Sequence, residues 1–181
     1  LIYEISKIKN LERIRYTTSH PIDFSEDLIQ AHKNIKKLMP LIHLPVQSGS
    51  NHILNKMNRK HTIEDYIDLI QKLKKANPSI EFSSDFIIGY PGETDKDFDA
   101  TVKLMKEVSF INSFSFIFSP RPGTPAAKLE KVNNKVAKER LIYFQQIAED
   151  IKMKYRKNLF NRNSLVMFEN KSRRENEFFG R

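Results

Sequence analysis

The stretch Ser83–Phe98, "SSDFIIGYPGETDKDF", passes from an apolar run through a Gly-Tyr-Pro-Gly-Glu break into a helical pattern. Pro91 and Gly92 fill the two central positions of Tyr90–Glu93, the composition of a type II turn. Thr94 stands three residues before Asp97, which resembles a capping box with Asp in place of the preferred Glu. The segment therefore reads as strand, tight turn and helix start.

Its apolar part completes the β-like run "EFSSDFII" (Glu81–Ile88), and three further such runs recur: "RIRYTT" (Arg13–Thr18), "LIHLPV" (Leu41–Val46) and "FSFIFS" (Phe114–Ser119). Amphipathic helical patterns separate the runs. "DFSEDLIQAHKNIKKLM" follows the first; "SNHILNKMN" and then "TIEDYIDLIQKLKKA" follow the second, with Ile63, Tyr66, Ile67, Ile70 and Leu73 on one face. "TDKDFDATVKLMKEV" follows Glu81–Ile88, with Phe98, Val102 and Met105 in register, and Thr62 and Asp65 repeat the capping pattern. Strand and helix alternate at intervals of about 30 to 40 residues, the signature of right-handed parallel βαβ units. Four units are too few for an eight-stranded barrel of about 250 residues. The expected fold is α/β, a partial β/α barrel or open sheet whose ligand lies at the carboxyl ends of the strands. Residues 130–158 read as one long basic helix with Ala137, Leu141, Phe144, Ala148, Ile151 and Tyr155 as its buried stripe. "SLVMFEN" and "EFFGR" then read as the first strands of a small β-module.

Composition narrows the classes. A chain of 181 residues with 39% hydrophobic content can bury one sizeable core. No window approaches the roughly 18 apolar residues of a membrane span, and no charged-then-apolar leader opens the chain, so a soluble cytoplasmic protein is expected. The chain has no cysteine, which excludes structural disulfides and cysteine-held metal within it. The net charge of +9 is uneven: residues 128–181 hold 14 Lys and Arg against 7 Asp and Glu. Such a basic third marks either a surface for phosphate backbone or a solvated lysine-rich helix. The first residue is Leu1 and the last run, ending at Arg181, lacks a partner, so both ends read as cut.

Each strand is followed by an unusual loop. In "TTSHP", His20 precedes Pro21 in a segment biased to extended backbone; it is a candidate substrate contact or acid/base group, or else a bond to neighbouring backbone. In "HLPVQSGSN", Gln47, Ser48 and Ser50 surround Gly49 and suit the hydroxyls and carboxylate of a small polar ligand, or simply cap the next helix. Arg59 in "NKMNRKHT" is placed to fork onto a carboxylate or phosphate, or to stand as a solvated cation at a helix end. Gly89 lets a planar ligand approach the backbone, and the turn with Pro91, Gly92 and Glu93 holds no nucleophile, so it reads as a shelf for a base. The absence of GxGxxG and of a Walker lysine argues against diphosphate binding. Asp85 lies within its strand and points either toward a substrate or at a core hydroxyl. Arg121, in the stiff "SPRPGTPAA", is an anion contact or part of a surface turn.

Taken together, "TTSHP", "HLPVQSGS", "MNRKHT", "SSDFIIGYPGET" and "FSFIFSPRPGTPAA" resemble the radical S-adenosylmethionine methylthiotransferases. Within them they are most similar to the branch acting on isopentenylated adenosine beside the tRNA anticodon. The resemblance runs from Leu11 to about Tyr155. It implies residues 1–160 as the C-terminal part of a radical SAM partial barrel and 161–181 as the start of a TRAM-like RNA-binding module. It also implies S-adenosylmethionine and 4Fe-4S clusters as cofactors, one cluster on a CxxxCxxC loop and one in an N-terminal domain. These ligands, all cysteine, would lie outside this chain, which alone should neither assemble a cluster nor catalyse. By the same resemblance, Gly89, Pro91, Gly92 and Glu93 lie near the cofactor's adenine. Gln47 and Ser48 lie near its ribose or amino-acid part, and Arg59 near its carboxylate. Asp85 and Arg121 would face the target nucleotide or the cofactor, with His20 a further substrate contact. The implied partner is tRNA, through the basic C-terminal region; the residues name neither the electron donor nor the sulfur source. Two other readings stand beside this one: a sister enzyme acting on threonylcarbamoyladenosine or on a ribosomal-protein aspartate, and a non-catalytic RNA-binding remnant.

Overall fold

A computed structural model describes residues 1–17, 20–174 and 176–180. Among these, β1 (Leu41–His43), β2 (Glu81–Ile88) and β3 (Asn112–Ile117) form a parallel sheet in the order β1-β2-β3. The crossovers are helical. After the short α1 (Ile2–Ser6) and α2 (Glu26–Asn34), α3 (Asn51–Lys56) and α4 (Ile63–Ala76) join β1 to β2, and α5 (Asp95–Val108) joins β2 to β3.

Helix starts follow local chemistry. Thr62 and Thr94 each accept from the backbone N–H three residues on, while Asp65 and Asp97 reach back to the cap N–H, so both capping boxes form with Asp. The apolar stripes face inward: Tyr66, Ile70 and Leu73 of α4 and Phe98, Val102 and Met105 of α5 are buried. They pack on the sheet face carrying Phe82, Phe86 and Ile88.

Three expectations are corrected. Of the run Arg13–Thr18, Ile14 alone pairs, in a parallel bridge to Leu38; Thr18 lies outside the described residues. The bridge has two backbone hydrogen bonds, Ile14 N–H to Lys37 O and Met39 N–H to Ile14 O. The second run stops as a regular strand at His43, because Pro45 has no N–H to give the ladder. There the Ser84 hydroxyl donates to Leu44 O and accepts from Val46 N–H, and pairing resumes in a bridge between Gln47 and Phe86. The long helix α6 begins at Asn134, with the Asn133 side chain as its cap, and ends at Lys157.

α6 lies against β3, β2 and α5, with Ala137 and Phe144 buried and Leu141, Ala148 and Ile151 packed beside them. Beyond it, β4 (Phe168–Lys171) and β5 (Phe178–Gly180) pair antiparallel, so the last run, read from the sequence as lacking a partner, finds one in β4. Arg13 Nη2 donates to Leu165 O across this junction. No helix among the described residues is long and apolar enough to cross a membrane.

Candidate functional site

β2 and β3 leave the sheet through the same device. Tyr90–Glu93 closes with Glu93 N–H donating to Tyr90 O at 2.9 Å and Gly92 at φ +80°, as a type II turn requires. Arg121–Thr124 closes likewise, with Thr124 N–H on Arg121 O at 3.2 Å and Gly123 at φ +82°. The Thr124 hydroxyl also donates to Arg121 O, so the Arg121 backbone is held while its side chain stands exposed. Where both strands end and α6 begins, a cavity of about 300 Å3 opens, lined by Gly89, Ile117, Phe118, Lys131, Val132, Asn134 and Ala137.

Gly89, at φ +71°, is also where α6 comes closest: a Cβ there would stand 2.8 Å from the Cβ of Ala137. Glu93 turns back under the turn. Its Oε1 accepts from Gly89 N–H at 3.0 Å and from Arg140 Nη1 at 2.7 Å, while its buried Oε2 has no hydrogen-bond partner. Burial raises the Glu93 carboxyl above the ordinary carboxylate range, against the opposing pull of the Gly89 N–H and Arg140. Arg140 extends to Asp95 and lies over the Phe98 ring at 5.5 Å. A buried Arg140 was not legible as a site residue, although it falls on the Ala137–Phe144 stripe; an arginine among apolar positions at helical spacing was the available signal.

Ser48 is fully buried, with its hydroxyl 3.3 Å from that of Thr101, which also accepts from Gly49 N–H. Gln47, at φ +75°, spends its backbone on β2: its N–H donates to Asp85 O and its O accepts from Ile87 N–H. Ser50 caps α3 and donates to Asp97 Oδ1 at 2.5 Å. Asp97 also receives Thr94 and lies 3.1 Å from His52 Nδ1, tying the starts of α3 and α5 together. Burial works against its charge, but the bonds from Ser50, Thr94 and His52 hold its carboxyl far below the ordinary range.

A second cluster gathers Arg59, His20 and His61. The His20 and His61 rings meet edge-on at 5.1 Å, and His20 Nδ1 accepts from Ile22 N–H. His61 is buried with neither ring nitrogen hydrogen-bonded. Burial, then the positive charges of His20 and Arg59, hold it neutral down to about pH 4. Burial also lowers Arg59, and it lowers His20 with help from Arg59. Such a corner attracts an anion. Thr18 and Ser19 of the "TTSHP" loop lie outside the described residues.

Asp85 is on the sheet face opposite the helices, with Oδ1 3.4 Å from Nε2 of His43, whose Nδ1 meets the Ser83 hydroxyl at 2.9 Å. His43 and His61 were not singled out in the sequence. His43 follows the strand alternation that brings Asp85 to the same face, and that was its only signal.

A parallel sheet with helical crossovers, whose strands exit into turns beside a cavity, is an α/β architecture with its ligand end at the strand carboxyl termini. The chain belongs to the radical SAM superfamily, whose family model matches residues 1–105. Over its whole length it is 55% identical to the tRNA-2-methylthio-N(6)-dimethylallyladenosine synthase of Pelagibacter ubique and 47% identical to that of Ehrlichia chaffeensis. It spans 41% of the length of each of these relatives. Among solved structures it resembles coproporphyrinogen III oxidase from Escherichia coli, described as a radical SAM enzyme. The TM-score is 0.56 at 17% identity, over 71% of this chain and 31% of that one.

Proposed function

We propose that this chain is part of a methylthiotransferase that modifies N6-isopentenyladenosine beside the anticodon of tRNA, using S-adenosylmethionine and 4Fe-4S clusters. The observation that carries the reading is 55% identity, sustained over all of the chain, to a synthase named for that product.

The residues fit S-adenosylmethionine. Arg59, the one standing cation of the corner it shares with the neutral His20 and His61 rings, suits its carboxylate. The cavity of about 300 Å3 beside Gly89 and Phe118 has room for a purine. Pro91, Gly92 and Glu93 serve this site indirectly: the turn aims the backbone after Gly89, and Glu93 locks it through Gly89 N–H and Arg140. Gln47 and Ser48 shape the opposite wall through the β1 loop. The cofactor, when bound, supplies the radical chemistry, and this chain's residues bind and orient it. The residues do not fit a cluster: with no cysteine, they offer no thiolate.

On the substrate side we assign Asp85 and Arg121, with tRNA held by the basic C-terminal region, residues 161–181 being the start of a TRAM-like module. The cellular setting is the cytoplasm, where tRNA is modified.

The test uses the complete enzyme, reconstituted anaerobically, with tRNA carrying isopentenyladenosine, and nucleoside mass spectrometry as the readout. Methylthiolated isopentenyladenosine is expected. Methylthiolation of threonylcarbamoyladenosine or of a ribosomal-protein aspartate instead would sink the assignment. Titration calorimetry with S-adenosylmethionine separates the enzyme from an RNA-binding remnant, and Arg59→Ala should weaken that binding about tenfold or more.

A further inference from the structure

The Pro21–Asp23 turn, α2 and α4 enclose a second cavity, of about 340 Å3. Its floor is apolar, with Phe24, Ile29 and Leu69 all buried. Its rim is acidic: Glu26, Asp65 and Asp68 line it, against Lys72. In a chain of net charge +9, a carboxylate-rich rim runs against the overall field. Asp65 is firmly charged, because the Thr62 N–H and hydroxyl bonds at the start of α4 hold its carboxyl below the ordinary range. Asp68 pairs with Lys72 at 2.8 Å, but both side chains are more than half exposed, so the pair is weak and yields readily to another cation.

His61 supplies the independent signal. It lines the same cavity, is 4% exposed and has no hydrogen-bond partner on either ring nitrogen. A neutral imidazole keeps one nitrogen as an acceptor, and a buried polar atom left unmet costs free energy that a ligand recovers. His61 is neutral down to about pH 4. Neither Arg59 nor His20 forms part of this wall, so its sign is opposite to that of the Arg59 corner. Among the described residues no set of histidine and carboxylate groups is spaced to hold a metal ion, so the matching cation is organic.

We propose that this cavity binds an alkylammonium ion, its chain on Phe24, Ile29 and Leu69 and its head between the Glu26–Asp65 rim and His61. The head donates N–H bonds to carboxylate oxygens and to the unprotonated ring nitrogen of His61, while the chain covers the floor. The volume stands at the small end of ligand pockets, the size for a linear amine rather than a nucleotide. The ion is the end of a free polyamine or of a lysine side chain. The inference is independent of the tRNA reading above.

The experiment is titration calorimetry on the complete, tRNA-free enzyme with hexylamine, hexanol and methylamine as probes. Hexylamine should bind one per chain and about tenfold or more tighter than hexanol, the weight of hydrogen bonds to charged acceptors. It should also exceed methylamine by about tenfold or more, since each buried CH2 is worth about fourfold. Lys72→Gln, at an exposed position, removes the competing cation and should tighten hexylamine by about two- to fivefold. Glu26→Gln combined with Asp68→Asn should weaken it by about two- to thirtyfold and leave hexanol unchanged. His61→Phe, which keeps the wall apolar, should weaken it by about two- to tenfold. Whichever of spermidine and Nα-acetyl-lysine amide binds tighter with this variant pattern names the source of the ion.

Hexanol binding as tight as that of hexylamine overturns the proposal and leaves a purely apolar pocket. So does an affinity for hexylamine that Lys72→Gln fails to raise, or the lack of saturable binding by the wild type. Circular dichroism melts of each variant separate lost binding from lost fold.

Discussion

Arg140→Met removes the cation from beneath the Tyr90–Glu93 turn and leaves its partner buried. The Glu93 side chain is 1% exposed and that of Arg140 is 10% exposed, and their Oε1 and Nη1 atoms are 2.7 Å apart. At an effective dielectric of about 20 the gross attraction is about 6 kcal/mol, and desolvation of both ions consumes much of it. Removing one partner of such a pair typically costs about 3–5 kcal/mol, because the other charge stays buried. Asp95, whose side chain is 94% exposed, adds well under about 1 kcal/mol. The lost contact with Phe98 adds about 0.5–1 kcal/mol, which the methionine partly replaces. The expected loss at pH 7 is therefore about 3–4 kcal/mol, a drop in Tm of about 6–16 °C for a domain of this size.

The pH dependence fixes the cause. Burial already holds the Glu93 carboxyl above its ordinary value, and the variant removes one of the two influences opposing that shift. A group with a raised folded-state value keeps its stability contribution while protonated and loses it as pH rises through that value. The variant's deficit should thus be smallest at and below about pH 4.5 and grow toward neutrality. Glu93→Gln, which keeps an acceptor for Gly89 N–H, should shrink the cost of Arg140→Met to about 1 kcal/mol in a double-mutant cycle. Urea unfolding followed by circular dichroism measures all four proteins. A loss below about 1 kcal/mol at pH 7, or an additive cycle, would refute the reasoning.

Gly89→Ala should destabilise by about 2 kcal/mol or more, since it adds a left-handed backbone cost to a 2.8 Å approach to Ala137. Gly123→Ala, at φ +82° in open space, should show the backbone cost of about 1–2 kcal/mol alone; equal losses in thermal melts would remove the steric argument. His32 and His61 are each held neutral down to about pH 4 by burial, whereas the unfolded chain protonates them near 6.5. Stability should therefore be complete above about pH 6.5 and fall toward pH 4, by up to about 1.4 kcal/mol per unit per histidine. His61→Phe should flatten that slope, and an unfolding free energy constant across the window would contradict it. On the nucleic-acid side, replacing Lys171, Arg173 and Arg174 with Ala should weaken tRNA binding by the complete enzyme and lower its salt slope by about 0.7–0.9 per lost phosphate contact. An unchanged slope in fluorescence titrations would place the tRNA elsewhere.

Legibility followed range of interaction. β2, α4 and α5 were readable to within a residue because apolar spacing, Thr caps and a Pro-Gly turn act within about four positions. Arg13–Thr18 has an equally β-like composition, yet a strand is only as long as its ladder, and Lys37–Met39 offers it two hydrogen bonds. Among the site residues, His20 makes the backbone bond that was one of its two expected roles. Ser50 caps α3, as its position before "NHILNK" suggested, while its second bond, to Asp97 47 positions away, had no local trace.

The sequence by itself determined the alternation of strand and helix from Leu41 onward, the type II turn at Tyr90–Glu93 and the faces on which the apolar residues fall. These depend on backbone sterics and on the periods of strand and helix. Only the tertiary structure decided what each polar side chain meets across those faces. Glu93 turns to Arg140 rather than outward, Ser48 closes on Thr101, and His43 stands beside Asp85. Periodicity assigns a side to a residue, but a buried charge or hydroxyl chooses its partner only when packing brings distant segments together and water is excluded.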